Sequence, residues 1–297
     1  MVSGLIILFL TALALIWSFL VVILLYEMQR PPRHTAGWAL ATARPMTPDQ
    51  VGCDFSSPAI VDAQGQSVPI WMIEGRPPAA REPLTVVFIH GWGQSRLDML
   101  PLVHTYLNQA DRLVLFDLPG HGEACGTSAL GAKEVDGLLD LLAQLDNHSY
   151  LLVGYSMGSA IAFAAASRPE PIAKRVRGVI AYGAYIKFHQ SLVGRLRLAG
   201  YPSRPISDVA LWVMSLLQKK PLSLSDQQIS LQCPVMLITG ERDQIASPET
   251  AKRIADQLPS GSLWIVPDGL HCDAWECQPE QHQVQIENFL KQFDRPS

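Results

Sequence analysis

A serine, a histidine and an aspartate that could together work on a carbonyl are spread along the second half of this 297-residue chain. The serine sits in Gly154-Tyr155-Ser156-Met157-Gly158, preceded by the apolar Leu151-Leu152-Val153 and followed by Ser159-Ala160-Ile161-Ala162-Phe163-Ala164-Ala165-Ala166, rich in helix formers. That order reads as strand, sharp turn, helix. Glycines on both sides let strand and helix pass closely, and the turn pushes the serine hydroxyl out above the carboxyl edge of a sheet. Ser156 Oγ can attack a carbonyl carbon there, provided a base takes its proton and N–H donors await the oxyanion.

The base needs a near-neutral pKa and a place on another loop, which points to a histidine. Of the eight histidines, His271 alone follows the last apolar strand run, residues 263–266, whereas His121 precedes the serine in Pro119-Gly120-His121-Gly122. An acid that holds the imidazole's tautomer could be Asp243, after the apolar run 235–239, or Asp117, after 113–116. Two rival chemistries fit less well. Gly120-x-Gly122-x-x-x-Gly126 has its third glycine one residue late for a dinucleotide loop and no helical run behind it. His271, Cys272, Cys277 and His282 match no zinc spacing, so no metal and no cofactor is expected.

The elements that must position these residues alternate in type. Residues 84–89, 113–116, 150–155, 176–182, 235–239 and 263–266 read as strands; 97–107, 133–145 and 157–167 have helical spacing. Such alternation implies right-handed crossovers, a mostly parallel sheet with helices on both faces, and binding at the carboxyl ends of the strands. Ahead of it, 58–62 and 67–73 flank the polar turn Ala63-Gln64-Gly65-Gln66 and predict a hairpin, with Pro69 tolerable only at an edge.

Residues 5–26 carry no charge and are long enough to cross a bilayer as a helix. A cleaved signal peptide fits less well: no Lys or Arg precedes the run, and no small-x-small cleavage pattern follows it. Arg30, Arg33 and Arg44 all follow, which places the bulk of the chain on the cytoplasmic side. Residues 1–28 are therefore expected to be a transmembrane anchor. Residues 29–54, with Pro31, Pro32, Pro45 and Pro48, are expected to form a stalk, and 55–297 the catalytic domain. With 48% hydrophobic residues the chain can bury a large core, and a formal charge of -4 gives no reason to expect nucleic acid. Five cysteines without a C-x-x-C pair make no disulfide framework.

With these residues in view, the chain resembles the α/β-hydrolases from about Phe55 onward. The likeness rests on five motifs in order: His90-Gly91-Trp92-Gly93, Asp117-Leu118-Pro119-Gly120-His121-Gly122, Gly154-Tyr155-Ser156-Met157-Gly158, Gly240-Glu241-Arg242-Asp243 and Gly269-Leu270-His271. The resemblance implies the chain order serine, acid, histidine, and so selects Ser156, Asp243 and His271 as the triad. It implies the backbone amides of Trp92 and Met157 as the oxyanion hole, with His90 holding its loop by hydrogen bonds. It also implies a helical cap inserted at about 186–231, where the apolar run 209–217 could be a lid or an ordinary crossover helix. Trp212, Met214 and Trp275 are expected to line an apolar substrate pocket. The implied activity is hydrolysis of a carboxylic ester or thioester of a small apolar acyl substrate by a membrane-anchored serine hydrolase. A serine peptidase of the same fold, or a non-catalytic ligand-binding module, are the alternatives.

Overall fold

The apolar runs of the sequence become one sheet because each has two hydrophobic faces to cover. In the computed structural model, which describes residues 2–77, 82–145, 149–186, 188–201, 203–218 and 231–293, eight strands form. They are β1 (Phe55–Ser56), β2 (Ile70–Glu74), β3 (Thr85–Ile89), β4 (Arg112–Phe116), β5 (Tyr150–Tyr155), β6 (Val176–Tyr182), β7 (Val235–Gly240) and β8 (Gly261–Val266). Their spatial order is β1-β2-β4-β3-β5-β6-β7-β8, parallel from β4 to β8 and antiparallel where β2 meets β1 and β4. The strand order turns back at β3, beside β5, and that is where a doubly wound sheet leaves a crevice for ligand.

Alternate residues of the central strands feed two separate cores, as the period of two requires. Val87, Ile89, Val114 and Leu152 enter one; Val86, Phe88, Leu113, Leu151 and Val153 enter the other. The helices that cover them are α1 (Val2–Gln29), α2 (Ala36–Ala41), α3 (Val103–Leu107), α4 (Glu134–Gln144), α5 (Met157–Ala166), α6 (Phe188–Leu198), α7 (Ile206–Gln218), α8 (Pro248–Ala255), α9 (Ala274–Cys277) and α10 (Pro279–Leu290). Two short irregular features differ from the sequence expectation. The hairpin is reduced to one bridge, Val61 to Ser67, because Asp62 Oδ1 accepts from the amides of Gln64 and Gln66 and tightens the turn; regular pairing begins only after Pro69. The span 97–107 is a 3-10 segment, Arg96–Leu102, leading into α3, with Pro101 inside it.

Residues 29–54, expected as a spacer, are laid against the domain. The Ser128 amide donates to Gln29 O, the Arg33 guanidinium to Ala124 O, and the His34 ring lies 2.9 Å from the Asp98 carboxylate. Prolines rule out a long helix here, but they do not keep the segment off the surface, and Ala39 and Cys53 are buried in the second core. The end of α1 is drawn in with it. Val21 and Met28 are buried in the first core, with Leu24 and Leu25 packed beside them, one face of the helix at i, i+3, i+4 and i+7. Ahead of that face α1 is apolar and exposed all round, and it is long and apolar enough to cross a membrane.

Candidate active site

The turn after β5 is built to present a side chain. Ser156 has φ +52° and ψ -109°, a conformation non-glycine residues rarely adopt. It is held there by its own amide donating to Tyr182 O (2.8 Å) and by Ser159 Oγ donating to Gly154 O (2.7 Å) and Tyr182 O (2.9 Å). The flanking glycines are required by space: a Cβ on Gly158 would lie 1.9 Å from Ile89 O, and one on Gly154 would lie 2.5 Å from Gly158 O. Strand β3, strand β5 and helix α5 can touch only because neither residue has a side chain.

Two loops from other strands meet this turn. His271, in the loop after β8, has Nε2 2.8 Å from Ser156 Oγ and Nδ1 2.7 Å from Asp243 Oδ2. Asp243, after β7, is buried, and its other oxygen accepts from the amides of Ile245 and Ala246, both at 2.8 Å, which fixes the carboxylate in place. The structure thus brings Ser156, His271 and Asp243 into one hydrogen-bonded line. An unprotonated Nε2 accepts from the serine hydroxyl while Nδ1–H donates to the carboxylate. Burial lowers the His271 pKa, but Cys272 and the Asp243 carboxylate more than offset it and carry it up to about 10. The Cys272 contribution exists only when that thiol is ionised; beside a neutral thiol the imidazole is less basic, and Asp243 is the partner that raises it.

His121 and Asp117 are placed elsewhere. His121 is buried, its Nδ1 bonded to Pro119 O, and burial pulls its pKa down to about 4. Asp117 is ion-paired with Arg96 and accepts from the amides of Arg96 and Glu123, so it ties the loop after β4 to the segment after β3; burial raises its pKa and Arg96 opposes the rise. His90 donates through Nδ1 to Gly91 O (2.8 Å) and accepts at Nε2 from the Leu118 amide (3.0 Å), so it is the neutral Nδ1–H tautomer, its pKa well lowered by burial. It clamps the loop that carries Trp92. Gln94 Oε1 accepts from the Gly91 amide at 2.8 Å and tightens that loop further. Met157 opens α5, so its amide has no helical acceptor, and among the described residues neither this N–H nor that of Trp92 donates to a protein group.

The three expected pocket residues do not line the cavity beside this site. Trp212 is 63% exposed, Met214 is fully buried in the first core, and Trp275 packs against the second core. An apolar run on α7 was the signal, but the run is apolar because it faces core, α1 and solvent in turn. A cavity of about 770 Å³ lies between α1 and the α6–α7 region. Trp92 and Tyr185 are part of its wall. Tyr185 is fully buried; burial raises its pKa to about 12, against the lowering influence of Arg195 and the Ser191 and Ser156 hydroxyls, so it stays a phenol. Arg195 lies over the Trp92 ring, 5.5 Å from its centroid, and Trp92 Nε1 donates to Met28 O at 3.0 Å. Sequence reasoning missed Tyr185 and Gly183. A Cβ on Gly183 would come within 2.6 Å of His271 Cε1, so this glycine makes room for the ring. A glycine two residues before a tyrosine just after a strand was the available signal, and it is a weak one.

Residues 86–281 match the model of the alpha/beta hydrolase family. The chain belongs to that family. Among curated proteins it is 26% identical to the uncharacterized hydrolase YugF of Bacillus subtilis, covering 70% of this chain and 90% of that one. It is also 26% identical to a pimeloyl-[acyl-carrier protein] methyl ester esterase of Chromobacterium violaceum, covering 63% and 86%. Among solved structures it is similar to the Pyrococcus furiosus esterase Pf2001, with a TM-score of 0.70, 20% identity and coverage of 89% and 98%. A membrane phospholipase A described as a bacterial virulence factor shares the fold over 99% of both chains, with a TM-score of 0.60 and 19% identity.

Proposed function

We propose that this alpha/beta hydrolase is a membrane-anchored serine esterase that cleaves a carboxylic ester or thioester of an apolar acyl substrate through an acyl-enzyme. The observation that carries the reading is the line from Ser156 Oγ through the His271 ring to the buried Asp243 carboxylate. Ser156 is the nucleophile, His271 the base that takes its proton, and Asp243 the group that fixes the tautomer and stabilises the imidazolium. As Oγ adds to the carbonyl carbon, the carbonyl oxygen becomes an anion, and the amides of Trp92 and Met157 receive it. A preset donor of this kind is worth about 2.7–4 kcal/mol in the transition state. Protonated His271 then gives its proton to the leaving alkoxide or thiolate. Water, deprotonated by the same nitrogen, releases the acid and restores Ser156.

The esterase names among the relatives support ester rather than peptide cleavage. The apolar wall of the cavity supports an acyl chain as the bound part. Retention of α1 as an anchor is supported by Val21 and Met28, which are buried in the core of the domain and would be lost with a cleaved signal. The arginines Arg30, Arg33 and Arg44 support a cytoplasmic catalytic domain. The direct test is hydrolysis of acyl esters of graded length by the detergent-solubilised full chain and by Ser156→Ala. Turnover in the parent that vanishes in the variant supports the reading; equal turnover in both refutes it.

A further inference from the structure

The α1 helix presents a problem of height. Residues 5–26 carry no charge, and at about 1.5 Å per residue they extend roughly 33 Å, enough for the hydrocarbon core of about 30 Å. Yet the cap reaches far up this helix. The cavity wall contains Trp17, Leu20 and Leu24 of α1 facing Leu192, Leu196 and Tyr201 of the cap region, and α7 packs along α1. If the cap stayed in water, only residues 5–16 would remain for the bilayer. That is roughly 18 Å of helix, far too short.

The cap's outer surface removes the conflict. Trp212 and Leu216 stand one turn apart on the same face of α7, beside Leu217, and are exposed by 63%, 57% and 64%. Leu198 and Tyr201 extend the apolar surface at the end of α6, exposed by 55% and 65%. Large side chains grouped in this way on a water-facing surface mark a contact site. Tryptophan and tyrosine suit the boundary between headgroups and chains, and Arg197, close by in sequence, can reach back to phosphate.

We propose that the α6–α7 cap is sunk into the leaflet that α1 crosses, so that the cavity beside Ser156 opens to lipid and takes the acyl chain of a bilayer lipid from the side. The inference rests on reading α1 as a membrane span. It assigns the substrate class as amphiphilic acyl esters resident in the membrane, not esters free in water. Trp17 to Tyr26 then share the depth of the cap, roughly 15 Å at most.

The test reconstitutes the full chain in dioleoylphosphatidylcholine vesicles with or without the dibrominated lipid as quencher. Difference emission against Trp17→Phe and Trp212→Phe isolates the two tryptophans. Both are expected to be quenched. Quenching of Trp17 without Trp212 overturns the sunken cap while leaving the anchor in place; quenching of neither removes the span and the proposal with it. This readout needs no hydrolysis, so a failure of the esterase reading leaves it intact. In a second arm, Leu216→Asp with Leu217→Asp should lower turnover of a long-chain acyl ester dissolved in the vesicles by about tenfold or more, with turnover of a soluble acetyl ester as in the parent. The acetyl ester checks folding, and the milder Leu216→Ser with Leu217→Ser should show the same selectivity. Equal effects on the two substrates would overturn the proposal.

Discussion

The floor of the candidate active site and the cavity beside it are built on opposite plans. At the floor, each group is fixed by several short polar contacts: Ser156 by its strained turn, Asp243 by two amides, His271 by its partners on either side. In the cavity the wall is mostly aliphatic and aromatic, and it is assembled from segments more than 160 positions apart in the chain, Trp17 and Leu20 against Leu192 and Leu196. The difference separates reactivity from selection. On the proposed function, polar geometry at the floor sets the chemistry, whereas the shape and wetting of the wall set which molecule arrives.

The sharpest break of this contrast is at the nucleophile. Ser156→Ala and His271→Ala should each lower kcat by roughly 10⁶-fold with Tm and binding of a long-chain product nearly unchanged, as measured by single-turnover kinetics and calorimetry. Asp243→Asn should lose about 10⁴-fold, since the wrong tautomer then faces the serine. Asp117→Asn makes the opposite case. It leaves Arg96 without its buried partner, so it should lower stability by about 3–5 kcal/mol, and residual kcat per folded molecule should stay within a few-fold of the parent. A larger catalytic loss at Asp117 than at Asp243 would reverse their roles.

Changes in the wall should be smaller and selective. Leu192→Ala or Leu196→Ala is expected to weaken kcat/KM for long acyl esters by about 1–3 kcal/mol and leave acetyl esters nearly unaffected. Met214→Ala, in the core, should instead cost about 2–5 kcal/mol of stability with no dependence on chain length. Melting curves beside a chain-length series distinguish the two.

The smallest effects concern pH. His271 must be unprotonated to act as base, so kcat/KM should rise with pH through its pKa. Asp243→Asn removes the carboxylate that raises that pKa, and the rising limb of the residual activity should move to lower pH. Stability should respond in another window. His121 and His282 are held neutral by burial, with pKa values of about 4 against an ordinary 6.5. The unfolded chain therefore binds more protons between these values, and Tm should fall as pH is lowered from about 6.5 toward 4.

The same division explains what was legible in the sequence. The parallel strands, α5 and the meeting of Ser156, His271 and Asp243 could be read because each depends on neighbours in the chain: an apolar run ending in Gly154, a helix starting at Met157, an aspartate or histidine closing a strand. Gly158 announces a close approach by its identity alone. The cavity could not be read in that way. Trp212 and Met214 share an apolar run, yet one faces outward and the other is in the core, because what surrounds α7 on each side is set by α1 and the sheet. The packing of residues 29–54 against the domain was hidden for a similar reason. Proline content reports the absence of a long helix, not the presence of a gap between membrane and domain. Residues 219–230 of the expected cap lie outside the described residues.

The central claim is that Ser156 becomes acylated with His271 as its base. Its most direct test is mass spectrometry of the full chain after reaction with a fluorophosphonate bearing a long alkyl chain, followed by peptide mapping. One adduct on Ser156, formed rapidly in the parent and in Asp117→Asn but suppressed in His271→Ala, is the predicted result. An adduct on another residue, or ester turnover that survives in Ser156→Ala, would contradict it.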